Sequence, residues 1–389
     1  MKINDKIKTI GIVTTSRADY GIYLPVLKKL RNSLFNMQLY VTGMHLSAEF
    51  GRTVEIILND GFPIADTIEM LLSSDSPDAI SKSMGLGIIG FSQSFSKNRP
   101  DLLLVLGDRF EMYSAVIAAL PYKIPVAHIH GGEITQGAID DVIRHSITKH
   151  SHLHFVSTDE YAGRVYQMGE ERWRIVKSGA PGLDNIAQIH FLQKNELEDK
   201  LNLSLNYPPV LITFHPVTLE YELTEWQIDE LIDSLQNIRN PIVFTLPNAD
   251  TNGRIIVNKI KQFVDFSSNA SFIDNLGTQV YFSLMRIASA MIGNSSSGII
   301  EAASFKLPVV NIGTRQTGRV KGKNVIDTDY MRENIVKAIE KAIHPDFKKS
   351  LYDLINPYGT GNASEVIIQK LESISSVKTL LLKKFQNLM

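Results

Sequence analysis

Cysteine is missing altogether from these 389 residues. Disulfides, thiol nucleophiles and thiolate-bound metals are thereby excluded. An excess of charge of one sign is missing too. The 40 Lys and Arg stand against 41 Asp and Glu, a formal net charge of -1, so no broad electropositive surface for nucleic acid is expected. Apolar runs fall far short of the roughly 20 residues that cross a bilayer. The opening Met1-Lys-Ile-Asn-Asp-Lys6 runs directly into a strand without the apolar core of a signal peptide. These absences point to the cytoplasm, with no nucleic-acid and no membrane partner. No Walker pattern occurs, and there is no solenoid-type repeat and no low-complexity segment.

What is present is an ordinary globular composition, 44% hydrophobic and 21% charged, over a length that suits two domains. Strand-like runs alternate with helix-like stretches, the pattern of βαβ units. In the first half, strands are expected at 7–14, 37–42, 102–106, 126–129, 154–157 and 175–178, with a helix starting near Tyr20. A polar helical bridge is expected over 188–205. The second half repeats the alternation, with strands at 210–214, 242–246, 270–273, 290–292 and 308–312 and helices at 225–235 and 254–263. The last stretch, 362–388, reads as helix with a basic end. The domain expectation is 1–187 for the first, 206–361 for the second and 362–389 for a C-terminal helix.

Ionisable residues gather where strands end, the place where doubly wound sheets bind ligands. Gly107-Asp108-Arg109 follows a wholly apolar strand, so both charged side chains are expected at the crevice mouth; a plain turn is the alternative. The next strand opens into His128-Ile-His130-Gly-Gly-Glu133 and then Ile139-Asp140-Asp141-Val-Ile-Arg144-His145. His128 and His130 share a strand face and could ligate a metal, but further ligands would have to converge. Acid–base chemistry is the preferred reading. Local helix ion pairs account for Asp141 but not for Gly-Gly-Glu133.

Thr14-Thr-Ser16-Arg17-Ala-Asp19-Tyr20 enters a helix, where an N-terminus and Arg17 suit a phosphate. Asp19 reads equally well as a helix cap. Gly293-Asn-Ser295-Ser296-Ser297-Gly298 leads into a helix carrying Glu301. Small residues there let backbone N–H groups approach a diphosphate, and three serines exceed what a cap requires. Phe214-His215-Pro216 and Arg315 are single signals at strand ends.

These motifs, together with Val41-Thr-Gly-Met-His45, Phe214-His-Pro-Val-Thr218 and Gly313-Thr-Arg-Gln316, run in one order over nearly the whole chain. The chain resembles the hydrolysing UDP-N-acetylglucosamine 2-epimerases of bacterial sialic-acid biosynthesis and the epimerase half of the bifunctional animal enzyme. The resemblance implies the GT-B fold, an α/β architecture of two Rossmann-like domains facing across a cleft. It implies no metal and no nicotinamide cofactor, and a homo-oligomer, dimer or tetramer. The implied reaction is anti elimination of UDP to a 2-acetamidoglycal, followed by hydration with the opposite configuration at C2.

By the same resemblance, Asp108 and Asp140 are the acid/base pair. Arg17, His215, Ser295 and Ser296 hold the diphosphate, and Glu301 the ribose. Arg109, Arg144 and Asp19 line the sugar side, with His45 beside them; Gly298 and Arg315 complete the binding residues. Where many relatives read His-Ile-Glu-Gly-Gly-Glu, this chain has His130. Either His130 takes over proton transfer or Glu133 moves in. UDP-N-acetylglucosamine is the first substrate expectation. The alternative is the UDP- or GDP-linked N,N'-diacetylbacillosamine of legionaminic-acid synthesis. A non-hydrolysing epimerase, a GT-B glycosyltransferase and a binding module without turnover are the other classes; the last would have no use for Asp108 and Asp140.

Overall fold

Continuous apolar runs bounded by turn residues become strands buried on both faces when helices separate them. The computed structural model describes residues 6–74, 76–135, 139–245, 253–273 and 277–387, the side chains of Thr218 and Leu219 apart. The chain forms two compact units, one of Met1–Glu133, Ile139–Asn185 and Gly361–Met389, the other of Ile134–Ala138 and Ile186–Thr360.

The first unit holds β1 (Thr9–Thr14), β2 (Asn36–Thr42), β3 (Ile64–Ile68), β4 (Leu102–Leu106), β5 (Val126–Ile129), β6 (Leu153–Val156) and β7 (Ile175–Lys177). They pair in parallel in the order β3-β2-β1-β4-β5-β6-β7. Every residue of β4 is buried, and a buried leucine contributes roughly 1.5–3 kcal/mol. The direction of chain travel reverses between β1 and β4, where Ile12 pairs with Leu104. Such a reversal opens a crevice at the carboxyl ends of the two strands.

The second unit holds β8 (Val210–Thr213), β9 (Ile242–Thr245), β10 (Ala270–Ile273), β11 (Ala290–Gly293), β12 (Val309–Ile312) and β13 (Val325–Thr328). Their order is β10-β9-β8-β11-β12-β13, all parallel. The reversal here lies between β8 and β11. Its core joins Val210, Ile212, Phe244, Ile292 and Val310 to helix residues such as Leu231 and Ile335.

Several expectations are corrected. The first helix begins at Arg17 rather than near Tyr20 because Ser16 caps it. Of the 188–205 bridge, Lys194–Leu201 is helical, and Gln188 ends the preceding helix Asp184–Gln188. The terminal stretch is not one helix: it runs Ala363–Glu372, breaks at Ser-Ile-Ser-Ser, and resumes for Val377–Leu381. Serine side chains compete for backbone partners, and Ser376 caps the second piece. This tail packs within the first unit. There the fully buried Arg174 donates to the Leu380 and Leu382 carbonyls at 2.8 and 2.9 Å. The expected end of β9 at Leu246 lies outside the described residues. Among the described residues, no helix is long and apolar enough to cross a membrane.

Candidate active site

At the carboxyl edge of the first sheet, β1 and β4 deliver two different kinds of loop. After β1, Asp19 accepts from the Thr14 hydroxyl at 2.5 Å, the Thr15 hydroxyl at 2.6 Å and the Thr15 and Ser16 backbone N–H groups at 2.9 and 3.1 Å. Together with the Ser16 side chain this is a complete capping box. His45 is buried between the Thr14 hydroxyl (2.9 Å) and the Thr53 hydroxyl (2.7 Å). Both polar groups are held by the loop itself, Asp19 as the helix cap that the sequence also allowed. Arg17 is exposed at the first helical position, and no ion-pair partner for it lies among the described residues.

The loop after β4 carries the charge cluster. Arg144, buried on helix Ile139–His150, is ion-paired with Asp108. Arg109 forms a two-pronged contact with Glu111, at 3.1 and 2.7 Å. Glu111 is wholly buried and holds the guanidinium above its ordinary value, against the desolvation that works the other way. Asp140 lies close enough to feel all of these groups. Burial first, and then the Asp108 charge, push its carboxyl up to about 6, while Arg144 and Arg109 oppose the rise. A carboxyl poised there can act as base or acid near neutral pH.

The loop after β5 is built for closeness. His128 is fully buried; its Nε2 donates to the Gly107 carbonyl at 2.8 Å and its Nδ1 faces the Thr148 hydroxyl at 3.1 Å. Burial drives its pKa down to about 3, so it stays neutral and braces β4 against helix Ile139–His150. A Cβ on Gly131 would sit 2.9 Å from His128 Nδ1, and one on Gly132 2.6 Å from the Tyr161 carbonyl. Only glycines allow that path. It leaves His130 at φ +66, uncommon for a residue with a side chain. His130 Nδ1 lies 2.6 Å from Glu133 Oε1. The two histidines therefore do not converge as a metal pair.

In the second unit the corresponding edge is organised around amide, hydroxyl and backbone contacts. The Asn294 side chain accepts from the His215 backbone N–H (2.7 Å) and donates to the His215 carbonyl (2.8 Å), locking β8 to β11 at their ends. Burial, then Arg315, lower the His215 imidazole to about 3, so it is a neutral group. Arg315 and Gln316 both donate to the Asn294 carbonyl, at 3.0 and 2.8 Å. Ser295 caps the helix Ser296–Ile300. Gly293 has φ +131, and a Cβ there would collide with the Thr213 carbonyl. Gly298 packs on Val309, where a Cβ would lie 3.0 Å from Cγ1; its smallness serves helix–strand packing. Glu301 ends the helix. Tyr281, not singled out from sequence, lies beside Ser297, Thr213 and Ser295, and burial pushes its phenol up to about 12.

The residues missed from sequence are therefore Glu111, Asn294, Tyr281 and Ser157. The last stands directly after β6 with its hydroxyl 3.0 Å from His130 Nδ1. Ser157 and Asn294 were findable, because each follows a strand on the same carboxyl edge as the flagged loops.

An ion-paired edge in one doubly wound unit and an edge of serines, Asn294 and a neutral imidazole in the other are the equipment of a GT-B enzyme that works on a nucleotide sugar. The profile of the family described as UDP-N-acetylglucosamine 2-epimerase matches residues 28–372; the chain belongs to that family and is an enzyme of its type. A Campylobacter jejuni GDP/UDP-N,N'-diacetylbacillosamine 2-epimerase (hydrolyzing) is 40% identical over 98% of this chain and 99% of its own. The Legionella pneumophila UDP-N,N'-diacetylbacillosamine 2-epimerase (hydrolyzing) is 38% identical over 95% and 96%. In fold, the chain is similar to the UDP-GlcNAc 2-epimerase of Neisseria meningitidis crystallised with UDP-GlcNAc. That likeness has a TM-score of 0.81 at 18% identity and covers 93% of this chain and 99% of that one.

Proposed function

We propose that the protein is a hydrolysing 2-epimerase acting on nucleotide-linked N,N'-diacetylbacillosamine, releasing the nucleoside diphosphate and the free 2-epimeric sugar. The observation that carries the chemistry is the cluster of Asp108, Arg144, Arg109 and Asp140 at the reversal point between β1 and β4. Two relatives at 38–40% identity over nearly the full chain bear that substrate in their names. This puts the bacillosamine nucleotide ahead of UDP-N-acetylglucosamine, the reverse of the order expected from motifs. The family's own description keeps UDP-N-acetylglucosamine as the second reading.

In the first step a base takes the C2 proton, the C2–H electron pair becomes the C1=C2 double bond, and the C1–O bond breaks to release the diphosphate. Water then adds its oxygen to C1 while an acid delivers a proton to the opposite face of C2. Three proton-handling groups are needed: a base at C2, an acid across the ring from it, and a base for the water. Asp108, Asp140 and His130 are the proposed three. Each must be held near its target, since proximity and general acid–base catalysis supply much of the rate. Arg109 is the proposed cation on the sugar side. Departure of the diphosphate calls for donors placed where charge grows; Arg17, His215, the Ser295–Ser296 backbone and Arg315 are proposed for this, and Glu301 for the ribose hydroxyls. His215, being neutral, serves as an N–H donor.

A competition between equimolar UDP-N-acetylglucosamine and UDP- and GDP-linked N,N'-diacetylbacillosamine tests the substrate. Preferential consumption of a bacillosamine nucleotide, with free diphosphate and free sugar, is expected. Exclusive turnover of UDP-N-acetylglucosamine would overturn the assignment.

A further inference from the structure

His130, Glu133 and Ser157 form a buried three-membered group whose geometry fixes the state of the imidazole. Nδ1 is 2.6 Å from Glu133 Oε1 and 3.0 Å from Ser157 Oγ, and Ser157 donates to the same Glu133 oxygen at 3.1 Å. Glu133 and Ser157 are almost completely buried, at 3% and 2% exposure. A lone pair on Nδ1 facing a carboxylate at this distance would be repelled, so Nδ1 must carry the hydrogen. The carboxylate oxygen then accepts from both Nδ1–H and the serine hydroxyl. His130 Nε2 makes no hydrogen bond among the described residues.

We infer that Glu133 and Ser157 are positioning residues that hold His130 as the Nδ1–H tautomer, with the Nε2 lone pair left to take the proton. The inference rests on the hydrolysing 2-epimerase reading only for what the proton does; the tautomer itself stands on geometry. Two different loops supply the group. His130 and Glu133 come from the turn after β5, and Ser157 from the residue after β6, which pairs with β5 in parallel. The His130 backbone N–H donates to the Phe155 carbonyl at 3.0 Å, which ties the turn to the strand that carries Ser157.

Backbone shape supplies the rest. The left-handed φ of +66 at His130 costs energy for a residue with a Cβ, and such strain persists only where its surroundings impose it. The tight seats of Gly131 and Gly132 impose it here, and Arg164 donates to the Gly132 carbonyl from helix Asp159–Gln167. When Nε2 takes a proton, the imidazolium is balanced by Glu133 without moving. This is the general logic of a carboxylate-oriented histidine. Glu133 thus works through His130 rather than as a second proton carrier, which decides between the two options left open by the sequence.

The test uses the full-length protein and two readouts. In the free enzyme, 15N–1H correlation of the His130 ring reports the tautomer. The Nδ1–H form is expected in wild type, and a mixed or Nε2–H ring in Glu133→Gln. A wild-type ring in the Nε2–H form would overturn the inference, whatever substrate the enzyme takes. In steady-state kinetics with the substrate that the competition selects, His130→Gln and Glu133→Gln should each lower kcat by roughly 10²–10⁴-fold with KM little changed. Ser157→Ala should lower it by about tenfold. The double variant His130→Gln/Glu133→Gln should be no slower than His130→Gln alone. A further full loss in the double variant would mean that Glu133 acts on substrate directly, and would overturn the positioning role. Ser157→Thr, which keeps the hydroxyl, should restore most of the rate and guards against a mere folding defect. If wild type turns over no nucleotide sugar, the functional reading fails while the tautomer result still decides the inference.

Discussion

The two sheet reversals are built alike and furnished differently. In the first unit, the carboxyl edge at β1, β4 and β5 holds Asp19, Asp108, Arg109, Glu111, Glu133, Asp140 and Arg144, most of them in mutual contact. In the second, the edge at β8, β11 and β12 presents serines, Asn294, a neutral His215 and Arg315. A fold alone does not dictate function, so the contrast lies in the side chains that each edge displays. An edge that must move protons needs groups whose pKa values are pulled apart by their neighbours. An edge that holds an anion needs donors placed where its charge lies.

The largest effect expected from breaking this contrast is at the proton edge. Asp108→Asn and Asp140→Asn should each lose at least roughly 10²–10⁴-fold in turnover, while isothermal titration still finds UDP bound. Wild-type turnover in either variant would remove that residue from the proton inventory. Next comes the anchor of the C-terminal tail, just ahead of β7: Arg174→Ala removes the ion pair with Glu171 and strands the carbonyls of Leu380 and Leu382. A loss of about 3–5 kcal/mol is expected by denaturant unfolding. An unchanged midpoint would show that the tail contributes little.

On the neutral edge, Ser296→Ala and Glu301→Ala should weaken UDP binding by about tenfold, a loss of about 1.4 kcal/mol, with kcat at saturation close to wild type. A kcat collapse with unchanged UDP affinity would erase the division between the edges. The smallest effect is in pH. Asp140 is raised to about 6 in the folded protein by burial and then by Asp108. A raised acid favours folding while protonated, and that contribution is lost as pH rises through about 6. Asp140→Asn should therefore raise Tm relative to wild type above pH 6, the gain vanishing toward pH 4. A gain of the opposite sign would contradict the raised value.

Much of this was legible in the chain itself. Runs such as Leu102–Leu106 and Val210–Thr213 announce strands buried on both faces, and their ends mark where to look for chemistry. The helix Pro77–Lys97 was not legible from apolar periodicity, because Gly85, Gly87 and Gly90 interrupt it; Ser76 as cap and Pro77 at the first position were the available signals. Short edge strands β3 and β13 carry exposed or half-buried residues and lack the apolar run that marks central strands. Within the site, Asp108 and Arg144 were both flagged, but their ion pair spans 36 positions and depends on how helix Ile139–His150 lies over β4. Conversely, the threonine partners of Asp19 and His45 were not legible, since sequence does not show which partners a buried polar group finds.

In the proposed reaction a proton is exchanged at C2 during release of the nucleotide. Turnover of UDP-linked N,N'-diacetylbacillosamine in heavy water, followed by proton NMR of the products, tests it most directly. Free UDP and a free sugar of inverted C2 configuration, with deuterium at that carbon, are expected. A released sugar that keeps its original hydrogen at C2, or a 2-epimer still bound to the nucleotide, would contradict it.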